Sequence, residues 1–224
     1  MPRDTLTTDQ IVRTAIELLD TEGLEGLNMR ALGRRLDSAA TAVYWHVKNK
    51  DNLVLLATDR VWGELELPDL AAVEWRTAAT AMATELFAMF TRHPWLVQAF
   101  TAHLLYGENK ARHDDHSLAV YEVAGFRGAE ADQAAAAVFT YVLGNAAGAA
   151  ATASLTRKLN ADHSTAEEEF HNAITKAQEI AARYPRLRAR LETPAATDYA
   201  AAPDQTFERG LQALLDGLEK RLTS

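Results

Sequence analysis

Residues 28–50 read NMRALGRRLDSAATAVYWHVKNK, two short helical patterns joined by a turn and closed by aromatics and lysines. Asn28 is placed to cap a helix over 29–36, Asp37 and Ser38 make the turn, and a further helix starts at Ser38 or Ala39 and runs to His46. Arg30, Arg34, Arg35, Lys48 and Lys50 stand here against a single acid, Asp37, whereas the 27 residues before them hold two basic and six acidic side chains. Positive charge is therefore gathered on the segment that has the outline of a helix-turn-helix. Duplex DNA, with about one negative charge per 1.7 Å of axis, is the matching partner.

The rest of the chain frames that reading. The net charge over 224 residues is -8, with 16 basic and 24 acidic residues after position 50. A basic head on an acidic body can hold DNA with the head and be repelled elsewhere. With 48% hydrophobic residues the chain is long and apolar enough to bury a core. The absence of cysteine excludes disulfides, thiolate metal sites and cysteine nucleophiles. The N-terminus lacks an apolar signal region, and the apolar stretch 134–155 is read as a packed helix of a soluble protein, so a cytoplasmic protein without membrane contact is expected.

Helical periodicity runs through the whole chain. Thr7 and Gln10 have capping-box spacing, Ile11, Ala15, Leu18 and Leu19 form one stripe, and Gly23 is the expected end of that first helix. A fourth helix begins at Asn49, Lys50 and Asp51, with Leu53, Leu56, Ala57 and Val61 inward. Beyond Pro68, Trp75, Ala79, Met82, Leu86 and Phe90 share a face that stops before His93 and Pro94; a short helix follows over 95–104 and a polar loop is expected at 107–112. Helices are expected up to Gly125, over 129–159 and over 166–184, with a loop at 192–203 and a last leucine-striped helix to Leu222. The fold class is all-α: a helix-turn-helix domain at 1–50 and a helical-bundle ligand-binding and dimerisation domain at 51–224, joined by the helix 51–66.

The head resembles the DNA-binding domain of the tetracycline-repressor (TetR) family. The resemblance rests on Ala15-Ile16-Glu17-Leu18-Leu19, then Gly23-Leu24-Glu25-Gly26-Leu27, and most densely on Val43-Tyr44-Trp45-His46-Val47-Lys48-Asn49-Lys50. It runs from about Leu6 to Leu65, and His93-Pro94-Trp95-Leu96 and Tyr141-Val142-Leu143-Gly144 are similar to segments of the family's effector-binding domains. The resemblance implies a homodimeric repressor released from operator DNA by a small molecule. Two departures matter. Asp37 stands where the turn usually has glycine, and Ala39-Ala40-Thr41-Ala42 replaces a more polar start to the recognition helix. Alanines can pack on thymine methyls but cannot donate to base edges, so the operator should differ from those of the tetracycline repressors.

Roles then follow from side-chain chemistry. Arg30 can reach a guanine edge or a phosphate. Ala40, Thr41 and Trp45 are expected to face the groove, and Tyr44, His46, Lys48 and Lys50 the backbone. Tyr44 and Trp45 are expected to be exposed, because Leu36, Val43 and Val47 already supply the core. In the body, Met82, Phe87, Phe90, Trp95, Phe100, Tyr121 and Phe139 are candidates to line a mostly apolar effector cavity, with His103, His116 and Asn145 as polar groups. Gly144, Gly148 and Ala151, with Leu211, Leu214 and Leu218, are candidates for a homodimer interface. The tract His113-Asp114-Asp115-His116 is read as a solvated loop or helix start, and no metal, cofactor or catalytic residue is assigned. Two other readings stay open. One is a DNA-binding adaptor whose body takes a protein partner. The other is an all-helical enzyme, although the chain has no phosphate loop, His-Glu-x-x-His or Gly-x-Ser-x-Gly.

Overall fold

A computed structural model describes residues 6–161, 165–192 and 206–223. Eleven helices follow one another among them: α1 (Thr8–Gly26), α2 (Met29–Arg35), α3 (Ala40–Val47), α4 (Lys50–Trp62), α5 (Trp75–Arg92), α6 (Trp95–Ala102), α7 (Glu108–Ala124), α8 (Ala129–Ala161), α9 (Thr165–Ala181), α10 (Pro185–Leu191) and α11 (Thr206–Leu222). The architecture is all-α. Two compact units result, residues 1–153 with 211–224, and residues 154–210. In the second, α10 starts with Pro185 in its first turn, where a missing amide costs nothing, and Ala181 is buried. The expected loop at 192–203 lies outside the described residues except for Glu192.

Local capping sets the boundaries in the head. The Thr7 hydroxyl accepts from the Gln10 amide at 3.2 Å while the Gln10 side chain accepts from the Thr7 amide at 2.9 Å, closing the capping box. Asn28 accepts from the Ala31 amide at 2.8 Å and Asn49 from the Asn52 amide at 2.7 Å, starting α2 and α4. Gly23, the expected stop, instead makes a kink at φ 74°, and helical structure resumes to Gly26. Ile11, Leu18, Leu19, Leu32, Val43, Val47 and Leu53 form a fully buried head core.

The turn between α2 and α3 depends on two backbone facts. Asp37 sits at φ +47°, the left-handed region its short polar side chain tolerates. Gly33 lets the turn come close. Its carbonyl accepts from the Ser38 amide at 2.9 Å, and a Cβ there would lie 2.7 Å from the Ser38 carbonyl oxygen.

Residues 107–112 do not form the expected loop; α7 begins at Glu108. The missing signal was tertiary. The Asp59 carboxylate, on α4, accepts from the amides of Asn109 at 2.9 Å and Lys110 at 3.1 Å, and so caps α7 from fifty residues away. Gly107 makes room for it, since a Cβ would lie 2.1 Å from Asp59 Oδ1.

The stretch of α8 read as packed is covered on one face only. It is long and apolar enough to cross a bilayer, yet 28% of its most apolar window is buried in the chain. Val138, Val142, Ala146 and Ala150 face the core. Gly144, Ala147, Gly148 and Ala151 are exposed, and nothing lies within 4 Å of a Cβ built on either glycine. On α11, Leu211, Leu215 and Leu218 turn into the chain's own core, so Leu211 and Leu218 are not the exposed interface leucines they were expected to be; Ala213 and Gly217 face outward beside a half-buried Leu214. Arg76 of α5 holds α11 in that orientation, pairing with Glu219 at 3.1 Å, with Asp216, and with the Gln212 side chain at 2.9 Å.

Gly33→Ala is expected to destabilise the chain by about 1–3 kcal/mol, the usual cost of forcing an atom into close-packed backbone. A urea midpoint equal to that of the parent chain would show that the turn has room to spare.

Candidate nucleic-acid interface and ligand cavity

The surface of α3 follows from its two buried anchors. Val43 and Val47, four residues apart, are fully buried. The opposite face is therefore out in solvent: Thr41, Tyr44, Trp45 and His46 are exposed, Trp45 to 89%. Ala40 is half-buried where the helix begins, against the backbone of the turn. Lys48 ends α3 at φ +62° and is exposed, as are Arg30 and Arg34 at the two ends of α2. Among the described residues these three cations have no ion-pair partner, whereas Arg35 pairs with Glu22 at 3.1 Å. Lys50 is different. Its ammonium donates to the Leu24 carbonyl at 2.9 Å and stitches the start of α4 to the end of α1.

A cavity of about 290 Å³ lies between α5, α7 and α8, with Phe100 of α6 in its wall. Of the candidate residues, Met82, Phe100, Tyr121 and Phe139 line it, together with Leu86 and Val138. The other six candidates are engaged elsewhere. Phe90 is buried edge-on to Phe100 at 5.7 Å between centroids, and Phe87 is half-buried outside the lining. The Trp95 indole donates to Asp20 at 2.8 Å, His116 bonds the Pro68 carbonyl at 2.9 Å, and Asn145 donates to the Tyr141 carbonyl of its own helix at 2.8 Å. His103 lies 3.9 Å from Asp51. Burial pushes the Tyr121 phenol pKa up, so it stays protonated.

The polar lining comes instead from Lys110, His113, Asp114, Ser117 and Asp132. Sequence reading missed all five. Lys110, Asp114, Ser117 and Tyr121 recur at helical spacing, a stripe hidden by reading 107–112 as a loop. Lys110 pairs with Asp114 at 2.5 Å and lies 5.2 Å from the Trp62 ring centre. Partial burial alone would raise the Asp114 pKa, but His113 and Lys110 outweigh it and hold the carboxyl below its ordinary value. His113 and His116, neighbours in one polar tract, therefore part company. Among the described residues no group of three or more acids and histidines is arranged to hold a metal ion.

Head and cavity share α4. Its first turns carry Leu53 into the head core; its last carry Trp62 against His113 at 4.8 Å and Phe100 at 6.2 Å between ring centres. A second tie centres on His93, just before α6. Its Nδ1 meets Asp20 of α1 at 2.7 Å and its Nε2 meets Glu64, after α4, at 3.4 Å. Burial alone would lower the His93 pKa, but the two carboxylates outweigh it and hold the imidazole above its ordinary value.

Two stretches of the chain match known families. Residues 11–57 match the model of bacterial regulatory proteins of the tetR family, and residues 67–222 match that of the tetracyclin repressor-like C-terminal domain. An HTH-type transcriptional regulator of Saccharopolyspora erythraea is 40% identical over 140 residues, which are 62% of this chain and 59% of that protein's length. The HTH-type transcriptional repressor DrrR1 of Streptomyces coeruleorubidus is 32% identical over 97% of this chain and 79% of its own. Among solved structures, ActR of Streptomyces coelicolor in complex with actinorhodin superposes with a TM-score of 0.72 at 27% identity, over 96% of each chain.

His93 generates a pH test. Its folded pKa is raised, so the stabilisation is fully present below the unfolded value of about 6.5 and fades as pH rises through the folded value. His93→Gln is expected to cost roughly 1–3 kcal/mol at pH 6, as hydrogen bonds between charged partners do, and progressively less towards pH 9. Denaturant unfolding across that range checks it; a cost that grows with pH would mean the imidazole is buried neutral.

Proposed function

This chain belongs to the tetR family of bacterial regulatory proteins, and from that premise we propose that it is a cytoplasmic repressor that grips operator DNA as a homodimer and lets go when a small, mostly apolar effector fills its cavity. It is a regulator and not an enzyme. The observation that carries the proposal is α4, which reaches from the head core to the cavity wall, so that one rigid element feels both sites. ActR, similar over nearly its whole length, was crystallised with actinorhodin, which supports a small-molecule effector over a protein partner.

The proposed division of labour is a DNA-binding domain at 1–50, an effector and dimerisation domain at 51–224, and the helix 51–66 between them. Thr41 and Trp45, with Ala40 at the helix start, read base edges. Arg30 sits at an edge or a phosphate, and Tyr44, His46 and Lys48 hold the backbone. Lys50, with its internal carbonyl, orients the head and adds a phosphate contact only with the hydrogens left over.

The homodimer rests on α8 and α11. An apolar helix with a glycine and alanine face open to solvent is unfavourable in a lone chain, and small residues let a second helix approach closely. Gly144, Gly148 and Ala151 of α8, with Ala213, Leu214 and Gly217 of α11, form the proposed contact, which needs no membrane. A two-fold axis then sets two recognition helices one DNA turn apart, about 34 Å.

Three outcomes test this reading. DNA selected from a random pool is expected to be a palindrome, released when the cavity is filled; selection of nothing above background would end the proposal. Lys48→Ala is expected to weaken all sequences alike and flatten the log-affinity against log-salt slope by about one, whereas Thr41→Val changes sequence preference. Gly148→Leu is expected to leave circular dichroism unchanged, since its side chain meets open space in the single chain, and to shift sedimentation towards monomer.

A further inference from the structure

His113 is the feature of the cavity that its apolar walls do not explain. It is 94% buried by its 6% exposure, it lines the cavity, and neither ring nitrogen makes a hydrogen bond. A buried polar group without a hydrogen bond loses its hydration and is not repaid by a partner, which is unfavourable. Such a cost inside a cavity marks the place where a bound molecule supplies the missing partner.

Which partner follows from the other side of the ring. Nδ1 lies 3.7 Å from Asp114 Oδ1. That carboxyl also holds Lys110 and stays ionised, so it is an acceptor only. That distance is too long for a hydrogen bond, but the carboxylate is the charge nearest the ring, and in a buried site its field favours the neutral tautomer with the proton on Nδ1 and the lone pair on Nε2. Nε2 is thus an acceptor, and its complement is an O–H or N–H donor, not a carbonyl oxygen. Phe100, Tyr121 and Phe139 share the cavity lining with His113, Phe100 and Phe139 tilted against each other at 5.5 Å between centroids, and the volume is at the lower end of the range of ligand pockets.

We propose that the cavity takes a flat, apolar molecule of about three fused rings bearing a hydroxyl, that this hydroxyl donates to Nε2 of His113, and that Asp114 acts as a positioning residue by fixing the imidazole tautomer. The inference rests on the cavity being the effector site. Trp62, packed edge-on against His113, is then the fluorophore that reports occupancy, in place of Trp95.

Three tricyclic probes of one shape separate the possibilities: 2-hydroxyfluorene offers a donor, 9-fluorenone an acceptor, fluorene neither. Titrated into the full chain by tryptophan fluorescence and calorimetry, 2-hydroxyfluorene is expected to bind at least about tenfold more tightly than either other probe, because a site built around a hydrogen bond rejects the analogue lacking it. His113→Leu is expected to abolish that ratio while fluorene keeps its affinity within about threefold, which also shows that the variant is folded. Asp114→Ala, on the half-exposed rim, is expected to narrow the gap between 2-hydroxyfluorene and 9-fluorenone, since the freed imidazole can donate as well as accept. Equal binding of all three by the parent chain, preference for 9-fluorenone, or a tenfold ratio that survives in His113→Leu overturns the inference and leaves the cavity reading standing. Failure of every probe to bind removes the cavity reading, and this inference with it.

Discussion

The carboxylate of Asp59 holds the first amides of α7, and much of the molecule's working geometry follows from that contact. A helix start with its amides unpaired frays. Here the missing acceptor is on α4, whose own first half is locked into the head by Leu53 and by the Lys50 bond to Leu24. The helix that carries Lys110, His113 and Asp114 into the cavity is thus indexed to the helix that leaves the DNA-binding head. Gly107 is part of the same constraint, because any side chain there would occupy the position of the carboxylate.

A second tie, through His93, differs in kind. The Asp59 bonds join a carboxylate to backbone amides, whereas the His93 contacts depend on a proton. Asp20 receives both His93 and the Trp95 indole, so α1 is held to the start of α6 by one acceptor with two donors. A ligand acts on DNA only through a difference in affinity between two arrangements. Two separate ties to the head, one just after α5 and one at the start of α7, are suited to giving discrete arrangements instead of a soft continuum.

Small residues are used in two opposite ways. Gly33 and Gly107 are small because something within the chain comes close. Gly144, Gly148 and Gly217 have nothing near them. In the first case a methyl group would collide; in the second it would meet open space in the chain. Composition cannot separate these, because a glycine whose neighbour is fifty residues away looks the same as one with no neighbour in its own chain.

What the sequence determined by itself was local. Apolar residues at helical spacing specified an all-α chain, and caps whose partners lie three residues away, Thr7 with Gln10, Asn28 with Ala31, Asn49 with Asn52, marked where helices begin. The exposure of Tyr44 and Trp45 was legible because Val43 and Val47 take the buried face. The tertiary structure decided everything that needs a distant partner: that 108–112 is helical, that Lys50 turns inward, that Leu211 and Leu218 face their own core, and that of two histidines in one polar tract His116 finds the Pro68 carbonyl while His113 is buried without a hydrogen bond at the cavity. Helical period and capping are settled within one turn of chain. The choice of which face is buried, and against which group, is settled by atoms that only folding brings within reach.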